Sequence, residues 1–132
     1  MPASRPVEIA VQDPAGARTA LAAGAARLEL CQALDVGGLT PSLATLEAVL
    51  AAVDPSNVNV LVRPRGGGFV YAPDEVAVVS ADIRACVDRG AGGVVVGALT
   101  SAGGLDVDSL GRWRDAAGPG RLVFHRAVDG AP

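Results

Sequence analysis

An alternation of short apolar runs with longer helix-like segments restricts this fold more than any other feature. Five runs, Val7–Gln12, Arg27–Cys31, Val58–Arg63, Gly93–Gly97 and Arg121–His125, recur at intervals of about 20 to 35 residues and read as strands buried on both faces. Four helix-length segments separate them: Pro14–Gly24, Pro41–Val53, Pro73–Gly90 and Asp106–Ala117. The first is Ala-rich and stops at a glycine. Thr40-Pro41 reads as an N-cap followed by proline at the first helical position. The third segment repeats that start and ends at Gly90, a natural residue for the turn after a helix, and Asp106 reads as the cap of the fourth. The order β-α-β-α-β-α-β-α-β predicts a parallel sheet with right-handed crossovers.

Such a sheet is either doubly wound or part of a (β/α) barrel. Polar and reactive residues cluster at the C-terminal ends of four of the five strands: Glu29 and Cys31, Arg63 and Arg65, Thr100, and His125 with Arg126. Open sheets concentrate ligands at one switch point, whereas barrels use the whole ring of strand ends, so the spread favours a barrel. No Gly-x-Gly-x-x-Gly follows the first strand and there is no Walker motif, which weakens a nucleotide-binding reading. The 132 residues match the length of one domain, but a TIM-type barrel typically needs about 250. The expectation is therefore an α/β chain, one partial barrel domain over residues 1–132, with about five strands and four helices and unpaired edges on its first and last strands. Such edges favour a homo-oligomer.

Composition narrows the function classes. Half the residues are hydrophobic but only 3% are aromatic, so the core must be built from Ala, Val and Leu. All eleven basic residues are arginine, which excludes a Schiff-base lysine within this chain. A net charge of −3 gives no nucleic-acid-type basic surface. Met1–Pro6 is polar, without the apolar core of a leader, and runs such as Val94–Val96 are far too short to cross a bilayer. These features point to the cytoplasm, with Cys31 and Cys86 as reduced thiols.

Four stretches carry candidate chemistry. Glu29 interrupts an apolar strand, and its carboxylate needs a partner such as Arg63 or a ligand. Cys31, at the same strand end, is either a small buried hydrophobe or a reactive group, whereas Cys86, inside the third helix, fits core packing. Gly37-Gly38-Leu39-Thr40-Pro41 reads as a tight turn with a helix cap or as a small anion site through Thr40. Arg63-Pro64-Arg65-Gly66-Gly67-Gly68 sets two planar guanidiniums before a flexible loop, a pattern suited to a carboxylate or phosphate. His125, the only histidine, can be a general acid or base, or a metal ligand together with the Cys31 thiolate.

Taken together, Ala26–Cys31, Gly37–Ser42, Val62–Gly67, Phe69–Tyr71, Gly93–Thr100 and Phe124–Ala127 resemble the copper homeostasis protein CutC family in order and spacing from Val7 to Asp129. The resemblance implies the N-terminal half to two-thirds of a TIM-type barrel, a cytosolic protein and copper handling. Carried over by position, the pocket holds Glu8, Glu29, Cys31, Arg63, Arg65, His125, Arg126 and Asp129. The departures are Ala10, where family members often have Cys, and Gly68, Gly92 and Val128, where they have Asp, Asp and Phe. Two functional expectations follow. In one, copper(I) is bound by Cys31 and His125. In the other, an enzyme holds a small anionic substrate with Glu8, Thr40, Arg63, Arg65, Gly66 and Gly67, and moves a proton with His125 and Glu29, Arg126 and Asp129 completing the catalytic set. A third reading is a non-functional fragment or a half-barrel assembly module.

Overall fold

The computed structural model describes residues 5–130, so the first four residues of the Met1–Pro6 stretch lie outside it. Strands β1 (Glu8–Val11), β2 (Arg27–Leu30), β3 (Val58–Leu61), β4 (Gly93–Val96) and β5 (Arg121–Phe124) alternate with helices α1 (Pro14–Ala22), α2 (Leu43–Ala52), α3 (Pro73–Asp88) and α4 (Val107–Ala117). All strands are parallel and lie in chain order, β1-β2-β3-β4-β5. A doubly wound sheet must reverse its strand order at a switch point. This one never does, and it forms the first five strands of an incomplete TIM-type barrel.

Local chemistry explains the boundaries. Asp13 caps α1 by accepting from the Gly16 amide, and Asp106 caps α4 by accepting from Ser109. Gly90, just past α3, takes a positive φ of 100°, as a residue following a helix commonly does. The expected start of α2 is corrected. Ser42, not Thr40, is the cap, its hydroxyl accepting from the Thr45 amide at 3.1 Å. The Thr40 hydroxyl is instead committed to the end of β3, where it accepts from the Arg63 amide and donates to the Arg63 carbonyl.

Residue parity divides the sheet into two unlike faces. Leu28, Leu30, Val58, Val60, Val94 and Val96 point to one side and pack against Leu46, Val49, Val79, Ile83, Cys86 and Trp113 of the helices. Burying each such side chain contributes about 1.5–3 kcal/mol. Trp113, the only tryptophan, is fully buried and donates to the Val76 carbonyl, which ties α4 to α3. Cys86 belongs to this core, and burial pushes its thiol up to about 12.

The opposite face carries a small apolar patch, Cys31, Leu61, Val95 and Val123, above a polar belt. In the belt, fully buried Asn59 donates to Glu8 at 3.2 Å and accepts two bonds from Arg121, at 3.0 and 3.2 Å. Glu8 also lies 3.8 Å from Arg27. The belt depends on Gly93, where a Cβ would lie 2.6 Å from both Arg121 Cβ and Asn59 Oδ1. Gly93→Ala should therefore cost about 1–3 kcal/mol, read as a lower urea midpoint. Gly111→Ala, in the open middle of α4 with nothing near its Cβ position, should gain about 0.5–1 kcal/mol. Equal midpoints for the two variants would refute the packing role of Gly93.

Candidate anion site at the strand ends

The inner face opens at the C-terminal ends of the strands into a concavity of about 360 Å³. Glu8, Glu29, Cys31, Arg63, His125 and Arg126 line it, with Phe69 and Gly37 on its walls. Inward parity along β2, β3 and β5, and the residues just past their ends, brings these groups together.

Arg63 is only 4% exposed. Its guanidinium donates to the carbonyls of Val36 at 2.9 Å, Gly38 at 3.1 Å and Gly67 at 2.9 Å, and it lies over the Phe69 ring. Its Nε is buried and has no partner among the described residues. Among the described residues the ion pairs are Glu8–Arg27, Glu75–Arg65 and Glu47–Arg89, so no carboxylate neutralises Arg63. The ion pair expected between Glu29 and Arg63 does not form. A buried charge held only by dipoles is costly unless a counter-ion arrives.

Arg126 approaches the same place. Gly37, at a φ of 93°, lies between the two guanidiniums, and a Cβ there would come within 2.4 Å of Arg126 Nη2 and 3.1 Å of Arg63 Nη1. A side chain at position 37 would fill the space where the two cations converge.

His125 adds a third donor. Its Nδ1 accepts from the Ala127 amide at 3.1 Å, which puts the proton of the neutral ring on Nε2. Nε2 is buried and has no partner among the described residues. Burial and the charges of Arg63 and Arg126 pull the imidazole down to about 4, so at neutral pH it is an uncharged hydrogen-bond donor. Gly97 leaves room for the ring, since a Cβ there would lie 2.4 Å from His125 Cε1. Phe69, absent from the expected site, packs 5.0 Å from His125. An aromatic directly after three glycines in an aromatic-poor chain was the available signal for it.

The acidic side of the concavity is Glu29 and Glu8. Burial, and then the Glu8 charge, hold the Glu29 carboxyl above its ordinary value. No hydrogen bond or ion pair engages its side chain among the described residues.

Other expected site residues turn elsewhere. Arg65 is paired with Glu75, donates to the carbonyls of Gly66, Gly68 and Val70, and lies 4.9 Å over Tyr71. Glu75 in turn accepts from the Ala72 amide, so Arg65 pins the loop to the start of α3, and it does not line the concavity. The carbonyls of Gly66 and Gly67 serve the two arginines. Asp129 is exposed, in the turn Arg126–Gly130, and Asp129 and Thr40 do not line the concavity.

A family model described as the CutC family matches residues 6–132. The chain belongs to the CutC family. It is 46% identical over 125 residues to a family protein CutC from Mesorhizobium japonicum, covering 93% of this chain and 47% of that one. It is 41% identical over 123 residues to a copper homeostasis protein cutC homolog from Caenorhabditis elegans, covering 93% and 49%. The chain thus spans about half the length of the curated relatives it matches. The solved CutC structure from Streptococcus agalactiae superposes with a TM-score of 0.88 at 31% identity, over 98% of this chain and 62% of that one. A phosphonomutase-like chain from Burkholderia cenocepacia shares the fold more distantly, with a TM-score of 0.54 at 25% identity over 94% of this chain and 49% of that one.

The copper role named for CutC relatives can be tested against the donors present. Copper(I) favours thiolates. Cys31 Sγ, however, donates to the Val11 carbonyl, and burial and Glu29 raise its pKa, which keeps it a thiol. His125 presents an N–H to the concavity, not a lone pair, and two guanidiniums stand beside it. Among the described residues no three His, Cys, Asp or Glu side chains group as a metal site. The expected Cys31–His125 pair does not fit a copper(I) centre.

The imidazole state is directly checkable. Proton NMR of His125 should give a midpoint near pH 4, and a midpoint near 6.5 would contradict the site as described. In the unfolded chain the ring takes up its proton near the ordinary 6.5, so the unfolded state gains that proton first as pH falls. The contribution of His125 to stability is full above about pH 6.5 and is lost towards pH 4.

Proposed function

We propose that this CutC chain carries the anion-binding part of a barrel-mouth site, and that it serves copper homeostasis in the cytoplasm by recognising a small carboxylate or phosphate and not a bare copper(I) ion. One observation carries this reading: two buried N–H donors without partners, Arg63 Nε and His125 Nε2, line one concavity at the end of a parallel sheet. Arg126 supports it by converging on the same space across Gly37. An anion there would gain charge-assisted hydrogen bonds, worth about 1.5–3 kcal/mol each. Copper(I) binding would require the Cys31 thiol to lose its proton and the His125 ring to give up either its Nε2 proton or its bond from Ala127.

Titration of the chain with inorganic phosphate and with malonate, followed by amide NMR, should move the signals of Gly37, Arg63, His125 and Arg126. Arg126→Ala should weaken binding about tenfold, because one charged donor is lost. The variant leaves the three carbonyl partners of Arg63 in place. A parallel copper(I) titration against a competing chelator should show no change between the parent and Cys31→Ser. Tight copper(I) binding lost in Cys31→Ser, or no response to either anion, would refute the proposal.

A further inference from the structure

The concavity is electrically divided. Arg63 and Arg126 occupy one side, the buried His125 N–H stands beside them, and the unengaged carboxylate of Glu29 faces the same space from β2. Each group suits one part of a single reaction. The guanidiniums suit an anionic group. A neutral imidazole whose tautomer is fixed by a backbone amide cannot serve as a base through Nε2, but it can donate to an oxygen that gains charge. Of the two carboxylates lining the concavity, Glu8 is held by Asn59 and Arg27, whereas Glu29 has no hydrogen bond or ion pair among the described residues, and burial raises its pKa and makes it a stronger base than an exposed carboxylate.

Resting on the anion-site reading, we infer that the site enolises small acids bearing a carbonyl next to the anionic group, with Glu29 as the proton acceptor and His125 as the donor to the carbonyl oxygen. In this step a C–H bond beside the carbonyl breaks and the proton passes to the Glu29 carboxylate. The C–H electron pair forms the C=C bond of the enolate, and the carbonyl π pair moves onto oxygen. The Nε2–H of His125 hydrogen-bonds that oxygen and keeps its own proton. The reverse step returns a proton to carbon, and exchange of the Glu29 proton with water between the two steps labels the compound. No oxidant, reductant or metal takes part in this balance. The assignment separates two roles that the sequence left joined: His125 polarises, and Glu29 alone moves the proton.

The test is deuterium exchange into the methyl group of pyruvate, followed by proton NMR, with the full chain in D2O at neutral pH. Methyl signal should disappear at least tenfold faster than in buffer alone. Glu29→Gln should return exchange to the buffer rate while pyruvate binding, read from amide shifts, stays within about twofold. Circular dichroism confirms that the variant is folded. Should Glu29→Gln not fold, His125→Gln provides the second arm and should slow exchange at least tenfold with Glu29 in place. Pyruvate binding without exchange, or exchange unaffected by either substitution, overturns the enolisation and leaves the anion site standing. Failure of pyruvate, phosphate and malonate all to bind overturns both.

Discussion

The strand-end face is organised around one buried cation. Arg63 leaves the end of β3 and reaches the carbonyls of Val36 and Gly38 in the loop after β2 and of Gly67 in the loop after its own strand. Three dipoles partly replace the lost hydration of the charge, and in doing so they draw two loops onto one side chain. Thr40 fixes the backbone of Arg63 from the same direction. The wall formed by Gly37 and the position of Phe69 follow from where this guanidinium lies, and its charge adds to burial in depressing the basicity of His125.

The lower interior supports that arrangement without joining its chemistry. Asn59 and Arg121, with Glu8 and Arg27, satisfy one another on the inward face of the sheet. Buried polar groups satisfied in this way specify one arrangement of the strands. Gly93, at the start of β4, and Gly97, four residues on and just past its end, share the inward parity and admit Arg121 and His125 respectively. The same device, a missing side chain facing inward, thus serves the structural belt at one level and the candidate site at the next. The carboxylate of Glu8 belongs largely to the belt, which leaves Glu29 as the acidic group free to act.

Much of the fold was legible in the chain. Alternating apolar runs and capped segments place all five strands and four helices to within a few residues, because burial on both sheet faces leaves a signal in local sequence. The largest error at a helix start was Thr40, where two hydroxyl residues flank one proline and only packing decides which of them caps. The site was legible as a set of strand ends and not as a set of roles. Arg63 and Arg65 look equivalent on either side of Pro64, yet one is buried at the mouth and the other pins α3 through Glu75. The glycines after them read as a ligand-cradling loop, but their carbonyls face the arginines.

The sequence by itself determined that this is a parallel α/β chain, rich in arginine and reactive groups at one end of its strands, and similar to CutC. Those properties depend on periodicity and residue type, which survive in one dimension. The tertiary structure alone decided which groups meet. Among the described residues it gave Arg63 no carboxylate, set Arg126 against it across Gly37, fixed the His125 proton on Nε2 through the Ala127 amide, and left Glu29 unengaged. Those outcomes depend on distances between residues far apart in the chain and on the dielectric cost of burial, and neither quantity is written in the order of the residues.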